Sequence, residues 1–233
     1  MKKLFVRKVL LALLMAGVII SIIAIFYICP YFDNGDNNEV CEQQSIIKHK
    51  KYDEKRYPTP NIDKDKVNDV IGVVLHHTAE PTIEKSLSVL SSSTKKVGSH
   101  VVIDTDGTRY IMADPNIVTY HAGYSILNER EGCNYCTVGI EFQGNTLKSP
   151  LTNDQIASCI EYLLPIIDKY NIPMDNIVTH EMVRNAYKNK YPHKRCSGKV
   201  DITQDEYIRF MRELNTSWEN AKKESKRNKL DCI

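Results

Sequence analysis

Residues 9–28 contain no charged side chain, and only Gly17 and Ser21 interrupt an otherwise apolar or aromatic run. As a helix this stretch is about 30 Å long, the thickness of a bilayer core, and few soluble folds could accommodate it. Its length, and the absence of a small-x-small site before Cys29, favour an uncleaved anchor over the main alternative, a cleaved secretory signal. A lipidated Cys29 is a lesser alternative, because the residues before it are bulky. Lys2, Lys3, Arg7 and Lys8 precede the run, whereas Asp33, Asp36, Glu39 and Glu42 follow it before any basic residue. That asymmetry places the N-terminus in the cytoplasm and the rest outside it. The expectation is a membrane-anchored protein whose catalytic part lies in the periplasm or at the cell surface. Its seven cysteines would then occupy a compartment that permits disulfides.

With those four basic residues set aside, 27 basic and 29 acidic residues remain in the 233-residue chain. So balanced a charge argues against a nucleic-acid partner, since neutralising phosphates requires a basic surface. The sequence divides into an anchor (1–30), a polar tether (31–66), a catalytic domain (67–217) and a basic tail (218–233) expected to fray. The domain opens with the β-branched run Val70-Ile71-Gly72-Val73-Val74-Leu75, which ends at His76 and His77. A short helix is expected from Pro81 to Ser92. Asp106-Gly107 between two β-prone runs predicts a hairpin. Thr152 and Gln155 have capping-box spacing ahead of a helix with Pro165 inside it, and Thr203 with Glu206 repeats that spacing before the last helix. Strands alternating with helices predict an α/β fold: one domain with a central mixed β-sheet flanked by helices, preceded by one N-terminal transmembrane helix.

His76 and His180 each stand at a strand end, Glu141 lies between Ile140 and Phe142, and Lys194-Arg195-Cys196 follows in a loop. Each alone has a plainer reading: a hydrogen-bonded structural histidine, a surface lysine, a half-cystine. Glu141 is the exception, because a carboxylate in a buried strand requires a partner or a function. Together they have a chemical logic. Two imidazoles and a thiolate are zinc ligands, and three protein ligands leave a position open for chemistry. A carboxylate beside that position suits a general base, and an ammonium suits a developing oxyanion.

The order of segments resembles a known family. Val73-Val74-Leu75-His76-His77-Thr78-Ala79, Ser99-His100-Val101-Val102-Ile103-Asp104-Thr105-Asp106-Gly107-Thr108, His121-Ala122-Gly123, Val138-Gly139-Ile140-Glu141, Val178-Thr179-His180 and Lys194-Arg195-Cys196 are similar, in that order, to the zinc-dependent type-2 N-acetylmuramoyl-L-alanine amidases. The resemblance spans residues 69–214. It implies Zn2+ on His76, His180 and Cys196, the last at a position that other members fill with Cys or Asp. It also implies Glu141 as the catalytic carboxylate and Lys194, two residues before the third ligand, as the catalytic lysine. The implied substrate is peptidoglycan, cut between N-acetylmuramic acid and L-alanine.

Two departures bear on the third ligand. The stretch from His180 to Cys196 is long for the family, and Ser197 replaces a frequent Pro, so His193 is a reserve candidate. His77 is a reserve for the first ligand, but strand alternation turns it away from His76. His100 and His121 are expected to orient ligands or line the cleft. Cys133 and Cys136 are expected to form a local disulfide, and Cys159 to be buried in its helix. Two other functions remain open: a peptidoglycan-binding module without turnover, and a thiol hydrolase using Cys196 with His180 as base.

Overall fold

The computed structural model describes residues 51–196 and 201–230. The expected membrane span lies outside them, and no helix among the described residues is long and apolar enough to cross a bilayer. Among the described residues, ten strands, β1 (Glu54–Arg56), β2 (Ile62–Val67), β3 (Gly72–His77), β4 (Val101–Ile103), β5 (Arg109–Ile111), β6 (Ile117–Thr119), β7 (Ile126–Leu127), β8 (Arg130–Glu131), β9 (Thr137–Phe142) and β10 (Ile177–Thr179), are interspersed with four α-helices. The helices are α1 (Ile83–Leu90), α2 (Asn153–Tyr170), α3 (His180–Lys190) and α4 (Gln204–Leu230).

Six strands form one sheet in the order β1-β5-β4-β9-β3-β10. Every pair is parallel except β4 with β5, the hairpin expected around Asp106-Gly107. The predicted mixed sheet with flanking helices is therefore present.

The pleat sends alternate residues to opposite faces. From β3 and β9, Val73, Leu75, Val138, Ile140 and Phe142 join Ile156, Ile160 and Leu163 of α2 and Phe210 and Leu214 of α4 in the main core. The intervening residues, His76 and Glu141 among them, belong to the other face. There Val74, Ala122, Leu127, Val178 and Val183 form a smaller cluster, and Leu87, Leu90, Val102 and Met112 form another beneath α1. This second face has a helix at either side and a gap between them.

The helix α2 begins as its sequence predicts, whereas α3 was not expected. Thr152 Oγ1 accepts the Gln155 N–H at 3.0 Å while Gln155 Oε1 accepts the Thr152 N–H at 3.0 Å, closing the capping box. Pro165 sits inside α2 on its exposed side, where water can serve the carbonyl left without an intrahelical donor. Glu206 does other work than expected, accepting the Leu151 N–H at 2.8 Å and so tying α4 to the start of α2.

Three expectations need correction. The stretch read as tether up to residue 66 is structured from residue 51: β1 pairs with β5 and β2 with β6. Its polar residues make the contacts that apolar periodicity would have signalled. Asn61 Nδ2 donates to the carbonyls of Leu90, Ser92 and Val97 at 3.1, 3.0 and 2.7 Å, and the Tyr52 hydroxyl donates to Asp154 at 3.1 Å. The basic tail continues α4 to Leu230, beyond the last packed side chain at Trp218. Cys133 and Cys136 are buried free thiols at a 3-10 turn rather than a disulfide. Cys159 is buried within α2 as expected.

Candidate active site

Three neighbouring parallel strands deliver the site. β3 ends at His76 and His77. β9 runs beside it in parallel register, pairing His76 with Glu141. β10 lies on the other side of β3 and passes directly into α3, where Thr179 caps the helix by accepting the Met182 N–H. His180 is thus the first helical residue, fixed at the sheet's edge on the gap face.

The structure brings together two of the three expected ligands and adds a residue not foreseen. Among the described residues, His76, His180 and Asp201 form the group that could hold a metal ion, with one ligand atom from each within 4.8 Å of the others and all three buried. Asp201 Oδ2 lies 2.6 Å from His180 Nδ1 and 3.6 Å from His76 Nδ1. Two imidazoles and a carboxylate are a donor set zinc takes in sites that retain an open position.

The opposite ring nitrogens are engaged as ligand histidines require. His180 Nε2 lies 3.2 Å from the Ala122 carbonyl, which can only accept, so with a metal bound that nitrogen would carry the proton and Nδ1 would turn its lone pair to the group. His76 Nε2 lies 3.2 Å from His121 Nδ1, and His121 Nε2 lies 3.3 Å from the Thr137 hydroxyl, which donates to the Cys133 carbonyl at 2.7 Å. Burial holds His121 well below the usual histidine range, and the neighbouring His76, His100 and His180 push it the same way.

His121 is located by its backbone. Asn134 Oδ1 accepts the N–H groups of His121 and Ala122 at 2.9 and 2.7 Å. Gly139, with no side chain, makes room for its ring: a Cβ there would lie 2.5 Å from His121 Cγ. His100 supports the same layer. Its Nε2–H donates to the Ile117 carbonyl at 2.8 Å, while Nδ1 accepts the Gly139 N–H at 2.9 Å. Complete burial lowers its pKa to about 4, so it is neutral.

Glu141 lies in the same cleft as His76 and His180. This cleft has a volume of about 910 Å³ and separates α1 from α3. Arg184, one helical turn beyond His180, is a buried cation in its wall and reaches Glu181 at 3.1 Å. His77 faces away, as alternation predicts. Its Nδ1 accepts the Thr146 N–H at 3.2 Å, and the Thr146 hydroxyl contacts the Asp201 carbonyl, so His77 braces the loop beneath Asp201.

Cys196 lines the cleft but stands outside the three-residue group, as does the exposed His193. His180 has one ring nitrogen on Asp201 and the other on Ala122, which is not the arrangement of a thiol-activating base. Lys194 is exposed, with its ammonium 4.4 Å from the centre of the Tyr191 ring and hydrogen-bonded to Tyr187, a contact that raises its pKa. A sequence signal for Asp201 does exist. Lys199-Val200-Asp201 repeats the Lys-x-ligand spacing of Lys194-Arg195-Cys196, five residues on.

A parallel-rich sheet with two buried histidines and an aspartate at its edge, and a glutamate in the adjoining cleft, defines an α/β protein equipped for hydrolysis. Residues 66–199 match the family model described as N-acetylmuramoyl-L-alanine amidase, Amidase_2. The chain belongs to this amidase family. No curated protein matches it. Among solved structures it is similar to the amidase LysC from Clostridium intestinale, at 22% identity and TM-score 0.51 over 71% of this chain and 99% of that one. It is similar also to an AmpD derivative, at 19% identity and TM-score 0.51 over 68% of this chain and 94% of that one. A third is the PlyG catalytic domain, at 14% identity and TM-score 0.53 over 71% and 95%. At these identities the three support the fold.

Proposed function

We propose that this amidase is a zinc-dependent hydrolase of peptidoglycan, held outside the cytoplasm by residues 9–28, that cuts the amide between the lactyl group of N-acetylmuramic acid and L-alanine. The observation that carries the reading is the buried His76–His180–Asp201 group, whose two histidines line one cleft with Glu141. These three residues would hold the metal, Asp201 taking the place first assigned to Cys196. Bound there, zinc acidifies water and polarises a carbonyl.

The chain supplies the rest. Glu141 takes the proton from the attacking water and returns it to the departing L-alanine nitrogen, so one carboxylate serves as base and then acid. His121 and the Ala122 carbonyl hold His76 and His180 in one ring orientation and one tautomer through both steps. Lys199 takes over from Lys194 the sequence position of the family's lysine, two residues before the third ligand. The walls of the cleft limit water around the reacting amide, which strengthens the charges inside.

The test is mass spectrometry of purified muropeptides incubated with the full chain, zinc-loaded and then stripped with EDTA. Free stem peptide bearing a new L-alanine amino terminus, formed only with zinc, is expected. Intact muropeptide under both conditions overturns the proposal.

A further inference from the structure

Beyond the reacting centre, α3 carries a second feature on the same face. His180, Arg184, Tyr187 and Tyr191 recur at intervals of four, three and four residues, so they line one side of the helix and its end. At 1.5 Å per residue, Tyr187 lies about 10 Å along the axis from His180. Against it stacks Tyr124, with ring centres 5.2 Å apart and planes inclined by only 21°.

Tyr124 is in the cleft lining and yet 66% exposed, whereas Tyr187 is 3% exposed. One face of Tyr124 is therefore backed by a buried ring while the rest of it is open at the cleft mouth. The support is layered: Tyr191 packs on Tyr187 at 4.9 Å, and the Lys194 ammonium lies over both. The link to the reacting centre is covalent and short. Ala122, whose carbonyl holds His180, is followed by Gly123 at φ +54°, a left-handed turn that swings Tyr124 onto α3. The Ser125 hydroxyl fixes that turn by donating to the Gly123 carbonyl at 3.0 Å.

We propose that Tyr124, backed by Tyr187, is a platform on which a sugar ring of the glycan strand stacks, setting the substrate's sugar arm against α3. The inference rests on the amidase reading, in which the scissile amide joins a sugar to a peptide. A flat aromatic face open to solvent suits the axial C–H groups of a pyranose, and its phenol adds a polar edge. Because Tyr187 already orders the ring, stacking a sugar costs little further side-chain entropy. Tyr124 is thus a binding and specificity residue, not one that touches the reacting atoms.

Two measurements on the full zinc-loaded chain test it. In the first, tri-N-acetylchitotriose, which has no peptide and no scissile amide, is titrated by NMR against the wild type, Tyr124→Ala and Tyr124→Phe. Binding by the wild type and Tyr124→Phe, weakened tenfold or more in Tyr124→Ala, is expected. No wild-type binding, or equal binding by all three, overturns the platform. In the second, kcat/KM is compared for a disaccharide-bearing muropeptide and a sugar-free lactyl-peptide. The advantage of the sugar-bearing substrate should shrink about tenfold in Tyr124→Ala, and an unchanged ratio refutes the assignment. A preference lost instead for longer stem peptides would make Tyr124 a peptide contact and overturn it equally. If the wild type cleaves no muropeptide, the amidase reading fails while the sugar titration still decides the platform.

Discussion

Replacing Gly139 by alanine should damage the metal site without touching a ligand. The added Cβ would stand 2.5, 2.7 and 3.0 Å from Cγ, Nδ1 and Cβ of His121. Ordinary contact begins near 3.4 Å, so the ring must retreat by about 1 Å. His121 Nδ1 is 3.2 Å from His76 Nε2, so a displacement of that size is enough to take the pair beyond hydrogen bonding. Yielding is difficult because Asn134 pins the His121 backbone and His100 is bonded to the Gly139 N–H. Overpacking of this kind costs about 1–3 kcal/mol, and losing a partner that orients a ligand lowers metal affinity roughly 10- to 100-fold. Urea denaturation of the metal-free protein reads the first effect and zinc competition with a chromophoric chelator the second. In Gly139→Ala/His121→Ala the two shortest contacts are gone and only the 3.0 Å approach of the two Cβ atoms remains, so the double variant should be less destabilised than the sum of the singles, by about 0.5–3 kcal/mol. Wild-type stability and zinc affinity in Gly139→Ala, or strict additivity in the pair, would refute the reasoning.

Glu141→Gln should retain zinc and lower kcat by about 10²- to 10⁴-fold, because the amide keeps the shape but not the base; a variant of near-normal turnover removes Glu141 from the reaction. Asp201→Ala should lose zinc in equilibrium dialysis whereas Cys196→Ser retains it, and the opposite result returns the third position to Cys196. In steady-state kinetics Lys199→Ala should lower kcat more than Lys194→Ala, and the reverse order would restore the lysine first assigned. His100, with a pKa of about 4 when folded against roughly 6.5 unfolded, resists a proton that the unfolded chain accepts. Its contribution is full above pH 6.5 and is lost as pH falls to about 4, amounting to about 3 kcal/mol. Urea midpoints of wild type and His100→Gln at pH 7 and 4.5 should therefore show a shallower pH slope in the variant, and parallel slopes would contradict this.

What was legible in the sequence followed the periodicities of regular structure. Val73 to His77 and Val138 to Phe142 alternate, so the same rule that buried their apolar residues against α2 and α4 separated His76 from His77 and put Glu141 on the face of His76. The anomaly of a glutamate in an apolar strand was informative because burial makes such a residue expensive. Asp201 was missed for the opposite reason. The sequence before it carries no period, and its placement depends on tertiary bonds, Thr146 to its carbonyl and to the Thr203 N–H, that join segments 55 and 57 residues apart. Faced with two Lys-x-ligand candidates, sequence alone favours the more conspicuous cysteine. Residues 51–66 escaped for a related reason: Asn61 and Tyr52 anchor them through directed polar bonds, which leave no hydrophobic rhythm. The same contrast applies to Tyr187 and Tyr191: no helix was expected immediately after His180, so neither their spacing nor their purpose stood out. The turn at Gly123 and the approach of Tyr124 bring an exposed ring onto the helix face beside the His76–His180–Asp201 group, and that tertiary contact is what the proposed sugar platform rests on.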